Sequence, residues 1–190
     1  MIPIFLIAGA PAVGKSTTAR ALAGQFQKSI HIPVDDLREL VVSGVTYPGI
    51  WNDPLIEQLT LARESAALMG LKYSRAGFAV VIDDFWDPNS QLQEYGQLFQ
   101  VARFYKVLLY PSQQTAEERN LKRSGSDEMD AYIAAGIQLV YGSLASEISN
   151  LERQGWIVVD TTGKSVEMTV AYILAQTGEH IDKDGSEEAK

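Results

Sequence analysis

Five short apolar runs rich in Val and Ile recur along the chain, at Ile4–Ala8, Ile30–Val34, Ala79–Ile82, Lys106–Tyr110 and Trp156–Val159. Each is bounded by Gly, Pro or Asp, and none alternates cleanly with polar residues, as expected of strands buried on both faces. Helical stripes lie between them. Ala19, Leu22, Ala23 and Phe26 mark a helix within Ser16–Lys28, and Leu55, Leu59, Ala62, Ala66 and Met69 mark a second. Met129, Ile133, Ile137, Val140, Leu144, Ile148 and Leu151 read as one long amphipathic helix. Strand–helix alternation predicts an α/β fold with a parallel sheet covered on both faces. Ligands of such sheets sit beyond the carboxyl ends of the strands, so the residues that follow each run are the ones to read for chemistry. With 190 residues, no internal repeat and no long linker, one domain is expected.

The first run leads directly into Gly9-Ala-Pro-Ala-Val-Gly-Lys-Ser16, which has the form G-x-x-x-x-G-K-[ST]. Such a string arises by chance in roughly 1% of chains of this size, and here it stands between a strand and a helix, where the mechanism needs it. Gly9 opens the turn. The backbone N–H groups of Ala12, Val13, Gly14, Lys15 and Ser16 are expected to face phosphate oxygens at a helix N-terminus, with Thr17 next in line. Lys15 would reach the β- and γ-phosphates, and the Ser16 hydroxyl would ligate Mg²⁺.

Polar residues also collect after the other runs. Asp35-Asp36-Leu37-Arg38 follows the second. A hydroxyl acceptor needs a carboxylate to position and deprotonate it, and Asp35 is the expected base. Asp36 with Glu39 fits a D-x-x-E helix start; which of the two aspartates is the base stays open at this level. Arg38, three residues beyond Asp35, shares its helix face. Asp83, ending the third run, is the expected second holder of Mg²⁺. After the fourth run, Thr115 and Glu118 suggest a capping box. Arg119 and Arg123 share a face from which they could clamp a triphosphate, with Gly125 as a hinge. Asp160–Ser165 follows the fifth run, offering backbone to a base and Ser165 as a helix cap. Tyr47 and Trp51 are placed to cover the acceptor side, as pocket or as core. Trp86, Gln93 and Tyr95 are further pocket candidates. His31 and His180 stand isolated and suggest neither a metal nor a catalytic role.

Composition narrows the classes. A formal net charge of −8 argues against nucleic acid or an anionic membrane as partner. Absence of cysteine excludes disulfides, thiolate metal sites and a thiol nucleophile. No apolar run approaches the roughly 18 residues of a membrane span. A signal-peptide reading of Ile2–Ala12 fails because it lacks a basic start and cleavage there would destroy the glycine loop. The cytoplasm is the expected compartment. The acidic tail 178–190 is aperiodic and expected to be disordered.

Together these pieces resemble the small P-loop kinases of the nucleoside-monophosphate-kinase superfamily, over roughly residues 2–177. The likeness is to gluconate and shikimate kinases, chloramphenicol phosphotransferase, zeta toxins and the kinase domain of phage polynucleotide kinase. It implies a three-layer α/β/α sandwich with a five-stranded parallel sheet in the order 2-3-1-4-5. By the same resemblance Asp35 matches the acceptor-activating aspartate, Arg38 an acceptor-side arginine, and Arg119 with Arg123 the lid arginines. An acceptor-side helical segment at about 36–76 and a short lid at about 113–127 follow. The implied activity is ATP- and Mg²⁺-dependent transfer of the γ-phosphoryl group to a hydroxyl of a small molecule, by a monomer or homodimer. Two alternatives stay open: a polynucleotide or nucleotide-sugar kinase of the zeta-toxin type, and a non-catalytic nucleotide-binding regulator. The lid is too short for a typical adenylate kinase, and no second basic cluster for nucleic acid is visible.

Overall fold

In the computed structural model, which describes residues 2–46, 52–122 and 127–179 (backbone only at 127–129), five strands form one sheet. They are β1 (Ile4–Gly9), β2 (Ser29–Pro33), β3 (Ala79–Phe85), β4 (Phe104–Leu109) and β5 (Trp156–Val159). All pairings are parallel and the order is β2-β3-β1-β4-β5, as the resemblance implied. The helices are α1 (Lys15–Ala23), α2 (Val34–Glu39), α3 (Asp53–Arg75), α4 (Gln113–Leu121), α5 (Asp127–Leu144), α6 (Ile148–Arg153) and α7 (Val166–Thr177). Every residue of β1 is buried, because it is the central strand with helices over the sheet. Its apolar side chains, with Val80–Ile82 and Val107–Leu109, make the core.

The register brings the strand ends level. Gly9 lies opposite both Phe85 and Leu109, and Leu109 opposite Val159. The loops that follow therefore open on one rim. Along β3 the pleat sends successive side chains to opposite faces. On one face, Val80 and Ile82 meet Gly70 of α3, each 3.5 Å from where a Cβ would stand. On the other, Asp83 reaches Ser16 of α1. Helix entries are built from local polar groups: Asn52 caps α3 through Leu55 N at 3.0 Å, Ser165 caps α7 through Met168 N at 3.2 Å. These caps satisfy N–H groups that have no partner inside the helix.

Several boundaries differ from the sequence reading. β3 runs three residues past Ile82, because its ladder with β1 continues through Asp84 and Phe85. The first helix stops at Ala23, followed by Gly24, well short of Lys28. The long stripe from 129 to 151 is two helices. Glu147 N bonds Leu144 O at 2.9 Å, a tightened turn that ends α5, and α6 restarts at Ile148. Asp36 is not a cap: α2 starts at Val34 behind Pro33, which places Asp35 and Asp36 inside its first turn. The capping box at Thr115 is replaced by Ser112, whose side chain accepts from Thr115 N at 3.2 Å. Gly178 ends α7 in a left-handed conformation, and the buried Glu179 carboxylate accepts from Tyr105 Oη at 2.7 Å and pairs with Arg103.

Candidate active site

The glycine loop crosses the rim between β1 and α1. Gly9 is fixed there by space: a Cβ would lie 2.6 Å from the Leu109 carbonyl oxygen and 2.9 Å from Val13 Cγ2. Gly14, at φ 97°, takes a backbone conformation that other residues avoid and starts α1. Lys15 Nζ donates to the Ala10 carbonyl at 2.9 Å, so the loop closes around its own lysine. The backbone N–H groups of the loop and the start of α1 make the anion-binding end that the motif requires.

Ser16 Oγ donates to Asp83 Oδ1 at 3.0 Å. Asp83 is nearly buried, and its other oxygen meets His31 Nε2. An ionised carboxylate can only accept, so the imidazole donates from Nε2. Sequence reasoning misses this histidine. Its signal exists only once β2 lies beside β3: Pro33 is opposite Asp83 and His31 opposite Val81, so His31 and Asp83 are diagonal neighbours on one face. Two hard oxygen ligands at the foot of the phosphate loop suit Mg²⁺. Among the described residues no group of three or more His, Cys, Asp or Glu side chains could hold a metal. Mg²⁺ at Ser16 and Asp83 would therefore rest mainly on nucleotide and water oxygens.

On the opposite face the next residue, Asp84, enters a different environment. Arg63 of α3 is completely buried. Its Nε donates to Asp84 at 2.7 Å, and its Nη1 to Asp87 at 2.9 Å, to Glu94 at 2.7 Å and to Ser90 at 3.2 Å. Tyr95 Oη donates to Asp84 at 3.1 Å, and the guanidinium lies 5.1 Å from the centroid of the Phe85 ring. Burial pushes the Asp84 carboxyl up to about 6 despite Arg63, and the charge of Asp35 adds to the rise. Burial opposes the Arg63 charge, yet Asp84 and Glu94 hold its pKa above the ordinary value.

Asp35 is exposed and Arg38 half-buried, on the same face of α2. Both bear electrostatically on Tyr132 of α5, whose hydroxyl is pushed up chiefly by burial. Arg38 Nε is buried without a hydrogen-bond partner. Arg119 of α4 crosses to the loop: Nη1 donates to the Val13 carbonyl at 2.9 Å and Nη2 to the Thr161 carbonyl at 3.2 Å. It lines a hollow of about 240 Å³ with Val13, Gly14, Thr17, Thr18 and Lys164, open to solvent on one side. α5 closes on the loop from above, with Gly136 against Pro11.

The other sequence candidates divide. Trp86 is core, edge-on to Trp156 at 5.3 Å, and Tyr95 is fully buried in the Arg63 cluster. Gln93 opens a short 3₁₀ helix, Gln93–Leu98, with no side-chain cap. Arg123, Gly125, Tyr47, Trp51 and His180 lie outside the described residues.

The loop, the strand order and the polar rim define a P-loop protein with the strand arrangement of the small kinases. The sequence matches the profile of a family described as AAA domain over residues 4–139, and the chain belongs to that family. No curated protein matches it significantly. Among solved structures it resembles the tunicamycin resistance protein of Deinococcus radiodurans, at 17% identity and TM-score 0.66, over 97% of this chain and 100% of that one. It also resembles a sugar kinase from Janibacter sp. HTCC2649, at 15% identity and TM-score 0.63, over 97% and 100%. A gluconokinase from Sinorhizobium meliloti 1021 aligns at 17% identity and TM-score 0.60, over 95% and 94%. At such identities the likeness is one of fold. No helix among the described residues is long and apolar enough to cross a membrane.

Proposed function

We propose that this protein is an ATP- and Mg²⁺-dependent phosphotransferase that moves the γ-phosphoryl group to a hydroxyl of a small molecule in the cytoplasm. The observation that carries this reading is the convergence on one rim of a complete phosphate loop, the Ser16–Asp83 pair beside it and an exposed carboxylate, Asp35, at the start of α2. The kinase names of two structural relatives accord with it.

In this reading the loop N–H groups and Lys15 hold the triphosphate, giving up the internal Lys15–Ala10 bond to do so. Mg²⁺, held at Ser16 and Asp83, would neutralise phosphate charge. Arg119 lies along the nucleotide hollow and screens its anionic edge. The acceptor oxygen attacks the γ-phosphorus while the bond from that phosphorus to the β–γ bridging oxygen breaks. Its proton passes to Asp35, and ADP leaves. Such a loose transition state depends mostly on positioning and electrostatics. Asp35 is favoured over Asp36 as the base because it shares a face of α2 with Arg38 and stands where the resemblance to the small P-loop kinases puts the acceptor-activating aspartate.

The test is paired. A panel of hydroxyl compounds is screened for ATP-dependent phosphorylation, and ATP affinity is measured by calorimetry. Asp35→Asn should leave ATP affinity nearly unchanged and lower transfer by roughly 10²-fold or more, in the range of general-base removal. Loss of transfer in Asp36→Asn but not in Asp35→Asn would move the base to Asp36. Slow ATP hydrolysis unchanged in both variants, with no acceptor phosphorylated, would replace the kinase by a nucleotide-binding regulator.

A further inference from the structure

A second hollow, of about 220 Å³, lies between the first half of α3 and the segment after β3. It is lined by Ile56, Leu59 and Arg63 on one side and by Asp87, Asn89, Ser90 and Glu94 on the other. This segment leaves the rim beside the phosphate loop, since Trp86 N donates to the Gly9 carbonyl at 3.0 Å. The short helix α2, which carries Asp35, packs against both α3 and β3. The hollow thus borders the place where an acceptor must present its hydroxyl.

Its chemistry is unusual in one respect. Arg63, the only cation among the described residues that line it, is already held by Asp84, Asp87 and Glu94. Among the lining residues two carboxylates, Asp87 and Glu94, stand against one guanidinium, so the wall carries a surplus of negative charge. A phosphate or carboxylate brought here would meet that surplus, while the one lining cation is already committed. The polar groups that the hollow presents are the exposed Asn89 side chain and the partly exposed Ser90 hydroxyl. Covering such groups is unfavourable unless they are matched. A hydroxyl both accepts and donates, as a side-chain amide does, so neighbouring hydroxyls on one molecule would match both groups. Ile56 and Leu59 supply an apolar wall for the C–H face of a ring.

The geometry points to this hollow as the acceptor subsite, selective for a polyhydroxylated small molecule that bears no negative charge. The inference rests on the kinase reading, and it narrows the acceptor within it. It places sugars, sugar alcohols and their amino derivatives on the accepted side. Aldonic and uronic acids, sugar phosphates and nucleoside monophosphates fall on the rejected side.

The experiment uses matched pairs: glucose, glucosamine and glucitol against gluconate, glucuronate and glucose 6-phosphate, with the corresponding pentose series and nucleosides against their monophosphates. ADP release and direct binding by calorimetry are both read. The uncharged or cationic member of each active pair should have kcat/KM at least about tenfold above its anionic partner. Glu94→Gln, which removes one negative charge at constant shape, should shift that ratio toward the anion. Ile56→Trp fills the hollow from a half-exposed position and leaves the charged cluster untouched. It should raise acceptor KM at least tenfold with ATP affinity unchanged. Preferential phosphorylation of an anionic member overturns the inference and leaves the kinase reading standing. So does an acceptor KM that Ile56→Trp does not move. If nothing is phosphorylated but a neutral polyol binds and Ile56→Trp abolishes that binding, the subsite stands and the kinase reading falls. Absence of both turnover and polyol binding sinks the two together.

Discussion

Asp83 and Asp84 are adjacent on one strand and live in opposite worlds. Asp83 turns to the face of α1, where its partners are a hydroxyl and an imidazole. Asp84 turns to the face of α3, where it meets a buried guanidinium and a buried phenol. The first stands at the edge of the phosphate loop, which suits a group that must answer to an incoming cation. The second is locked into a fixed network around the buried Arg63 guanidinium. The pleat of a parallel strand separates the two roles by a single residue. An aspartate at the end of a strand therefore says little by itself; the face it takes decides whether it stands beside the phosphate loop or inside a buried ion-pair network.

The sharpest way to break this contrast is to remove the cation on the scaffold side. Arg63→Met keeps length and volume but strands Asp84, Asp87 and Glu94 in a buried site. Breaking a buried ion pair from one side costs about 3–5 kcal/mol. Urea unfolding monitored by circular dichroism should show a loss of that size, larger than the stability change expected of any substitution on the Asp83 side. A midpoint within error of wild type would mean that water already reaches the cluster and that it is no scaffold.

The same logic on the other face predicts the reverse signature. Asp83→Asn keeps the shape and an acceptor for Ser16 Oγ, so unfolding stability should change by less than about 1 kcal/mol. Phosphoryl transfer should fall by roughly 10- to 100-fold, the usual cost of disturbing groups around a metal, and half-saturation by Mg²⁺ should move to higher concentration. A variant that unfolds easily but needs no more Mg²⁺ would place Asp83 with Asp84 as scaffold.

Why the sequence reveals one side of this contrast and not the other follows from distance along the chain. The glycine loop is contiguous, so its chemistry and its strand–helix flanks can be read together. The strands announce themselves as short apolar runs, and all five are visible, including the partly buried edge strands β2 and β5. The Arg63 network is not contiguous: Arg63 and Asp84 are 21 residues apart and Arg63 and Glu94 are 31 apart. Within the apolar stripe of α3, Arg63 beside Ala62 looks like an ordinary surface charge. The extension of β3 through Asp83 and Asp84 is hidden for the same reason, since two acidic residues enter a strand only when distant partners receive them. The break between α5 and α6 leaves the apolar spacing nearly undisturbed, so periodicity alone cannot find it. His31 is the most consequential omission, because a lone histidine acquires meaning only from the strand that pairs beside it.

That histidine supplies the smallest and most discriminating effect. With Asp83 Oδ2 occupied by the His31 N–H, the carboxylate cannot swing, and Oδ1 stays directed at Ser16 Oγ, 3.0 Å away. His31 does not face the nucleotide hollow and touches none of its lining residues in the hydrogen-bond network. Its contribution should therefore be orientation, at roughly tenfold, the lower end for a group that positions a metal-holding carboxylate. His31→Ala frees the carboxylate; His31→Gln can restore a donor near the position of Nε2. Electron paramagnetic resonance of Mn²⁺ bound with nucleotide reads the site without turnover. Mn²⁺ affinity should fall about tenfold in His31→Ala and recover substantially in His31→Gln, while nucleotide affinity without metal stays at the wild-type value in both. A merely structural histidine would lower metal-free nucleotide binding and stability together, and glutamine would not repair the metal affinity. Equal Mn²⁺ affinity in all three proteins would show that Asp83 needs no partner to hold its direction, and the Asp83 side of the comparison would reduce to the carboxylate and Ser16 alone.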